Sequence, residues 1–165
     1  MKSESKIKKL MREELPNLSF QKKLMYRTDT QEVIQLFKIL NKEIFDNKLI
    51  LPEIHVQPRC RKYWGICIAE NWNPVYNPKK SNCKILLNDK WYCKQWLITT
   101  LAHEMCHQYQ WDILAHKRIK QGKDPIMSHG PSFFIHRKKL KKFGIALKRE
   151  HSTKNWFRTQ NMFKT

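Results

Sequence analysis

No stretch of this sequence approaches the run of about eighteen apolar residues that a membrane-spanning helix needs. Its opening, MKSESKIKKLMREELP, has no apolar segment of the kind a secretory leader carries. Neither secretion nor membrane insertion is expected, so the chain reads as intracellular, either cytoplasmic or associated with a nucleoid or nucleus. The five cysteines, Cys60, Cys67, Cys83, Cys93 and Cys106, contain no C-x-x-C pair. That absence excludes a zinc ribbon, and an odd count offers no disulfide framework. Buried thiols in a reducing compartment are expected instead. Internal repeats and low-complexity tracts are also missing. Acidic residues are scarce, 14 against 33 Lys+Arg, which leaves a formal charge of +19.

What is present bounds the chain further. Its 165 residues, 41% of them hydrophobic, suffice for one compact domain with a real core and are too few for two. One active site is the simplest expectation. The positive excess is uneven. From Lys117 onward fourteen basic residues face only Asp124 and Glu150, and residues 1–27 hold eight basic and three acidic ones, while the middle is nearly balanced. Basic ends around a near-neutral centre point to DNA or RNA, which Lys and Arg grip by displacing counterions from phosphates. An acidic membrane surface competes as partner, and a solvated basic surface is the plain alternative.

The apolar pattern yields an ordered set of elements. Residues 1–28 read as a basic arm, mobile or docking late, in which Ile7, Leu10 and Met11 form one short helical face before Pro16. Thr28, Asp29 and Thr30 offer N-caps for a helix over about residues 30–46, with Val33, Ile34, Leu36, Phe37, Leu40 and Phe45 at helical spacing. Three extended runs follow, at 54–58, 63–69 and 83–87, the last two joined by the Pro- and Asn-rich NWNPVYNPKKSN. They predict a small antiparallel sheet. A long helix is expected from Trp91 to about Ile119, then a polar break over QGKDPIMSHG. A further helix runs from Pro131 through Phe133, Phe134, His136 and Leu140 to Phe143, ended by Gly144.

The chemistry concentrates in His103-Glu104-Met105-Cys106-His107, an H-E-x-x-H pattern inside the long helix. Residues four apart on a helix lie about 40° apart around its axis, so both imidazoles can reach one ion. Glu104 projects beside that ion and can accept a proton from its water, whose pKa zinc lowers toward about 7. A catalytic zinc needs a third protein ligand and an open position. His55, His116, His129, His136 and His151 are available. His129 is best placed, because Gly130-Pro131 can turn the chain back toward the helix. His136 is the alternative, and more readily a packed or surface histidine. His116 lies about 180° around the helix from His107 and points away. Cys106, between the ligands, projects to the helix's other side and reads as a small buried residue. Tyr109 and His55 are possible transition-state stabilisers that nothing singles out.

HEMCH followed by SHGPSF resembles the SprT-like metallopeptidase family, to which the Spartan proteases belong, where H-E-x-x-H combines with a third histidine in an H-G-x-x-[FW] setting. LFKILNKEIFDNKL is similar to that family's opening helix, and YWGICIAE and CKILLND to its strands. The likeness covers roughly residues 30–144. It implies an α+β zincin-like fold, one zinc ion on His103, His107 and His129, and Glu104 as base. It also implies protein substrates bound or crosslinked to DNA. Many relatives carry a carboxy-terminal zinc ribbon, which this chain has no cysteine pair to build. The organisation expected is a basic arm to residue 28, a metallopeptidase domain over 29–144 and a basic tail over 145–165, acting as a monomer. Candidate nucleic-acid contacts are Arg137, Lys138, Lys139, Lys141, Lys142, Lys148 and Arg149, with Trp72 and Tyr76 as stacking platforms. Trp64, Trp91, Trp96 and Trp111 read as core or rim packing. The competing function is a non-catalytic zinc-containing nucleic-acid-binding protein, which would have no use for Glu104.

Overall fold

In the computed structural model, residues 3–13, 24, 26–58, 63–70, 77–125 and 128–149 are described. The chain enters as helix α1 (Lys6–Glu13), whose Ile7 and Met11 are buried in the core. The first turn of α1 is capped from a distance, since Lys6 and Ile7 N–H donate to the Glu43 carboxylate at 2.9 and 3.0 Å. Gln95 Nε2 donates to Leu10 O at 3.2 Å and ties the same segment to the site helix. This part of the basic arm therefore docks, because its single apolar stripe outweighs its lysines.

Strand β1 (Tyr26–Arg27) leads into α2 (Thr30–Glu43). Among the three cap candidates Asp29 takes the role, its side chain accepting from Glu32 N–H at 2.8 Å. Helix α2 stops three residues short of the predicted end. Asp46 and Asn47 adopt left-handed φ values of 54° and 58°, and Asn47 N–H closes onto Asn41 O at 2.8 Å, which turns the chain toward the sheet. Such conformations suit Asp and Asn, whose short polar side chains tolerate them.

The three predicted strands are present as β2 (Glu53–Gln57), β3 (Gly65–Ala69) and β4 (Cys83–Asn88), in spatial order β2-β4-β3. The sheet is mixed and not wholly antiparallel: β3 pairs antiparallel with β4, from Gly65 opposite Leu87 to Ala69 opposite Cys83, while β2 runs parallel to β4. The reason is insertion, since β4 returns from the β3–β4 connection into the space between its hairpin partner and β2. Gly65 permits close packing here. A Cβ at that position would lie 2.6 Å from Leu87 Cδ2 and 3.2 Å from Thr100 Cγ2, so glycine lets β3 press against the helix behind it.

A two-residue strand, β5 (Lys90–Trp91), pairs with β1 and delays the long helix, which begins as α3 (Lys94–Tyr109). One turn of π-helix, Gln110–Leu114, and α4 (Ala115–Lys120) continue it. Trp64, Trp91 and Trp96 are all buried and mutually packed, with Trp64 centred 5.3 Å from Trp91 and 6.2 Å from Trp96. Cys67, Cys83, Cys93 and Cys106 are thiols and not disulfides, and the last three are buried. No helix of the described residues is long and apolar enough to cross a membrane.

After the polar break, residues 131–136 form a series of tight turns, and only α5 (Arg137–Lys142) is α-helical. Phe133 N–H reaches Gly130 O and Phe134 N–H reaches Pro131 O, both i→i+3 bonds that tighten the first part of the predicted helix, so that it becomes α-helical only at Arg137. Gly144 does end it, at φ 86°, with Gly144 N–H on Lys141 O and Ile145 N–H on Leu140 O. Leu140 and Ile145 are buried together beneath this cap, as the motif favours.

Candidate metal centre

Helix α3 is built as a core helix. Cys93 starts it, its Sγ accepting from Trp96 N–H at 3.4 Å, and every residue from Gln95 to Cys106 is buried. A helix enclosed on all sides admits polar side chains only where something satisfies them. His103 and Glu104 are nonetheless there, each 5% exposed. Cys106 is buried as expected, and burial raises its thiol far above the ordinary range, which keeps it protonated and inert.

The turn that follows the polar break brings His129 over this helix. His129 Nε2 lies 3.1 Å from His107 Nε2 and 3.3 Å from His103 Nε2, and the ligand atoms of all three lie within 4.8 Å of one another. Three imidazole nitrogens converging on one point repel unless something positive lies between them. Zinc fits that point: Zn–N bonds of about 2.0–2.1 Å at tetrahedral angles put ligand nitrogens about 3.3 Å apart. Phe133, fully buried, forms the floor, its ring centre 4.7, 4.5 and 4.8 Å from those of His103, His107 and His129.

Electrostatics favour loading. Burial, with His129 nearby, holds His107 down at about 4 despite an opposing bond from Gln110, so at neutral pH the ring is neutral and its Nε2 lone pair available. Burial raises the Glu104 carboxyl to about 8, while the Cys67 backbone N–H from β3 pulls it the other way. A dication beside it would favour the carboxylate.

Residues 33–151 match the SprT-like family. The chain belongs to the SprT-like family. The three histidines and Glu104 form the zinc site of a SprT-like metalloendopeptidase, able to hold one Zn2+ and directed at protein substrates. Comparison with curated proteins found no match.

The remaining histidines separate from this SprT-like centre. His55 Nε2 pairs with Glu53 Oε1 at 2.5 Å on the exposed side of β2, His116 lies on α4, and His151 falls outside the described residues, as do Trp72 and Tyr76. His136 is a packing residue, its ring centre 4.6 Å from both Phe45 and Tyr109. Burial first, then Lys139 and Lys48, lower its pKa from 6.5 to about 4, against the pull of Asp46. A histidine that resists protonation when folded contributes stability that is complete above 6.5 and lost as pH falls toward 4. We expect His136→Phe to make the acid loss of stability across that window shallower in urea melts. An unchanged slope would show that His136 does not report on folding.

Two residues of the site escaped the sequence reading. Phe133 was expected only as part of a helix face, although its place in H-G-x-x-F marked it. Gln110 was not singled out at all, yet it lies seven residues beyond His103, about 20° from it around the helix. That spacing was the available signal.

Proposed function

We propose that this SprT-like protein is a monomeric zinc endopeptidase acting on proteins bound or crosslinked to DNA, with His103, His107 and His129 as ligands and Glu104 as general base. The observation that carries the catalytic part is that Glu104, adjoining His103 on α3, is buried in the core although a three-imidazole site could form without it. A structural zinc site needs no such group, and burying one is costly. When bound, zinc supplies Lewis-acid activation of water and of the scissile carbonyl. Glu104 accepts the proton of the attacking water and returns it to the departing amine. The Cys67 N–H donates to this carboxylate and aims it.

Strand β3 supports an endopeptidase reading. Trp64 O and Glu70 N–H bond toward β4, so the backbone groups of Gly65, Cys67 and Ala69 face the opposite edge. No strand among the described residues pairs there. An extended substrate segment adding to that edge would run past Glu104.

The DNA part rests on charge. Arg137, Lys138, Lys141 and Lys142 form an exposed face of α5, which begins eight residues after His129. Lys139, by contrast, is paired with Asp46 Oδ1 at 3.1 Å. Lys148 and Arg149 follow. Replacing Lys138, Lys141 and Lys142 with Gln should weaken DNA binding and flatten the slope of log K against log salt by about 2–3. An unchanged slope would remove this face from the interface. The functional test is cleavage of a DNA-binding protein with and without DNA: stimulation supports the substrate class, whereas equal rates leave a peptidase with other targets.

A further inference from the structure

Two of the three histidines need no help to find each other, because His103 and His107 share one rigid helix. His129 is different. It arrives from a loop twenty-two residues beyond His107 and must be held by something other than α3. We propose that Gln110 is the positioning residue that locks this third ligand onto the first two. The inference rests on the zinc-site reading above.

The Gln110 side chain is fully buried and all its polar atoms are engaged. Its Oε1 lies 2.9 Å from His107 Nδ1, and its Nε2 donates to Ser128 O and to Ser132 Oγ, each at 2.9 Å. The Ser128 carbonyl only accepts, so the amide nitrogen must face it and the amide oxygen must face His107. His107 Nδ1 is therefore the donor, and the lone pair of that ring resides on Nε2, the atom turned to the other histidines. One amide thus sets the tautomer of one ligand while gripping the backbone on one side of His129 and the Ser132 hydroxyl on the other. No shorter, charged or apolar side chain does both.

The backbone around Gln110 is shaped for this. Gln110 opens the π-helical turn, and π-turns are enriched where a helix must place a side chain for function. The turn is anchored on its other side by Asp112, whose carboxylate accepts from Ser81 Oγ at 2.5 Å, Asn82 N–H at 2.8 Å and Gln108 Nε2 at 3.1 Å. With Asp112 held against the start of β4, Gln110 cannot drift away from the loop. Partners that orient a ligating histidine typically govern metal affinity about 10–100-fold.

The test is zinc affinity by competition with a chromophoric chelator, on the full chain, for the native protein, Gln110→Ala and Ser132→Ala. The expected result is a loss of about 10–100-fold for Gln110→Ala and a smaller loss for Ser132→Ala, which keeps the Ser128 bond. A merely structural glutamine would lower the melting temperature of the metal-free protein and leave the zinc affinity of the folded variant unchanged. Affinity within twofold of native in a folded Gln110→Ala overturns the proposal. Should that variant fail to fold, long-range 1H–15N spectra of the native zinc-loaded protein decide. A slowly exchanging His107 Nδ1–H supports the clamp, and a proton that exchanges freely with water refutes it. If the native chain binds no zinc, the site reading itself fails; if it binds zinc and Gln110→Ala binds equally, only the role of Gln110 does.

Discussion

Replacing Glu104 with Gln should leave the fold and zinc content intact and lower kcat by about 10²–10⁴-fold, the usual contribution of a positioned general base. The substitution is nearly isosteric, and the three histidines that hold the metal are untouched. What disappears is the buried carboxylate that adjoins His103 on α3. The same change has an opposite effect on stability without metal. The folded carboxyl titrates near 8 against 4.5 for an ordinary one, so its contribution is intact below 4.5 and is lost as pH rises through 8. Glutamine has no proton to lose. The metal-free variant should therefore be more stable than the native protein at alkaline pH, a trade of function against stability. Peptidase assays, metal analysis and urea melts on both proteins check each part. Equal cleavage by the variant would remove Glu104 from the mechanism.

His129→Ala should abolish tight zinc binding, and with it activity, although the change lies on a surface turn and α3 keeps both its histidines. Two imidazoles on one helix leave a cation half coordinated, and the open position that catalysis needs is then one of two. The measurement is thermal unfolding with and without zinc. At a free concentration 100 times its Kd, zinc should stabilise the native protein by about 2.7 kcal/mol, a rise of about 5–10 °C for a chain of this size. The variant should show no rise. Stripping the native protein with a chelator should reproduce its loss of activity, and adding zinc back should restore the native protein alone. A full zinc-dependent shift in His129→Ala would exclude His129 as ligand.

The α5 face and the metal centre make separable claims. Neutralising lysines of α5 bears on where substrates are held, whereas Glu104 and His129 bear on whether any peptide bond is cut. Loss of DNA binding with retained cleavage of a free protein would confirm that separation.

Much of this protein could be read from periodicity and spacing. The apolar stripe of α2, the three strands, the buried character of WLITTLA and the H-E-x-x-H on one helical face are local patterns, set by the geometry of 3.6- and 2-residue repeats. Glycine at 144 was likewise legible, because only a left-handed residue ends a helix in this way. The two-residue strands β1 and β5 were not, since their pairing depends on partners more than sixty residues apart. Nor was the parallel alignment of β2 with β4, because strand direction leaves no trace in a two-residue alternation.

The metal centre divides along the same line. Residue types and the four-residue interval by themselves determined that two histidines and a glutamate would share one helix face, since a single turn of backbone dictates that. His129 was also named in advance, by the Gly130-Pro131 turn and the H-G-x-x-F setting, but how its loop closes onto the helix, that Phe133 would floor the site, and that a glutamine in a π-turn would bind the loop to the helix were decided only by tertiary structure. The physical reason is that these contacts are closed by packing and hydrogen bonds between segments far apart in the chain, where no local conformational rule constrains which side chains meet.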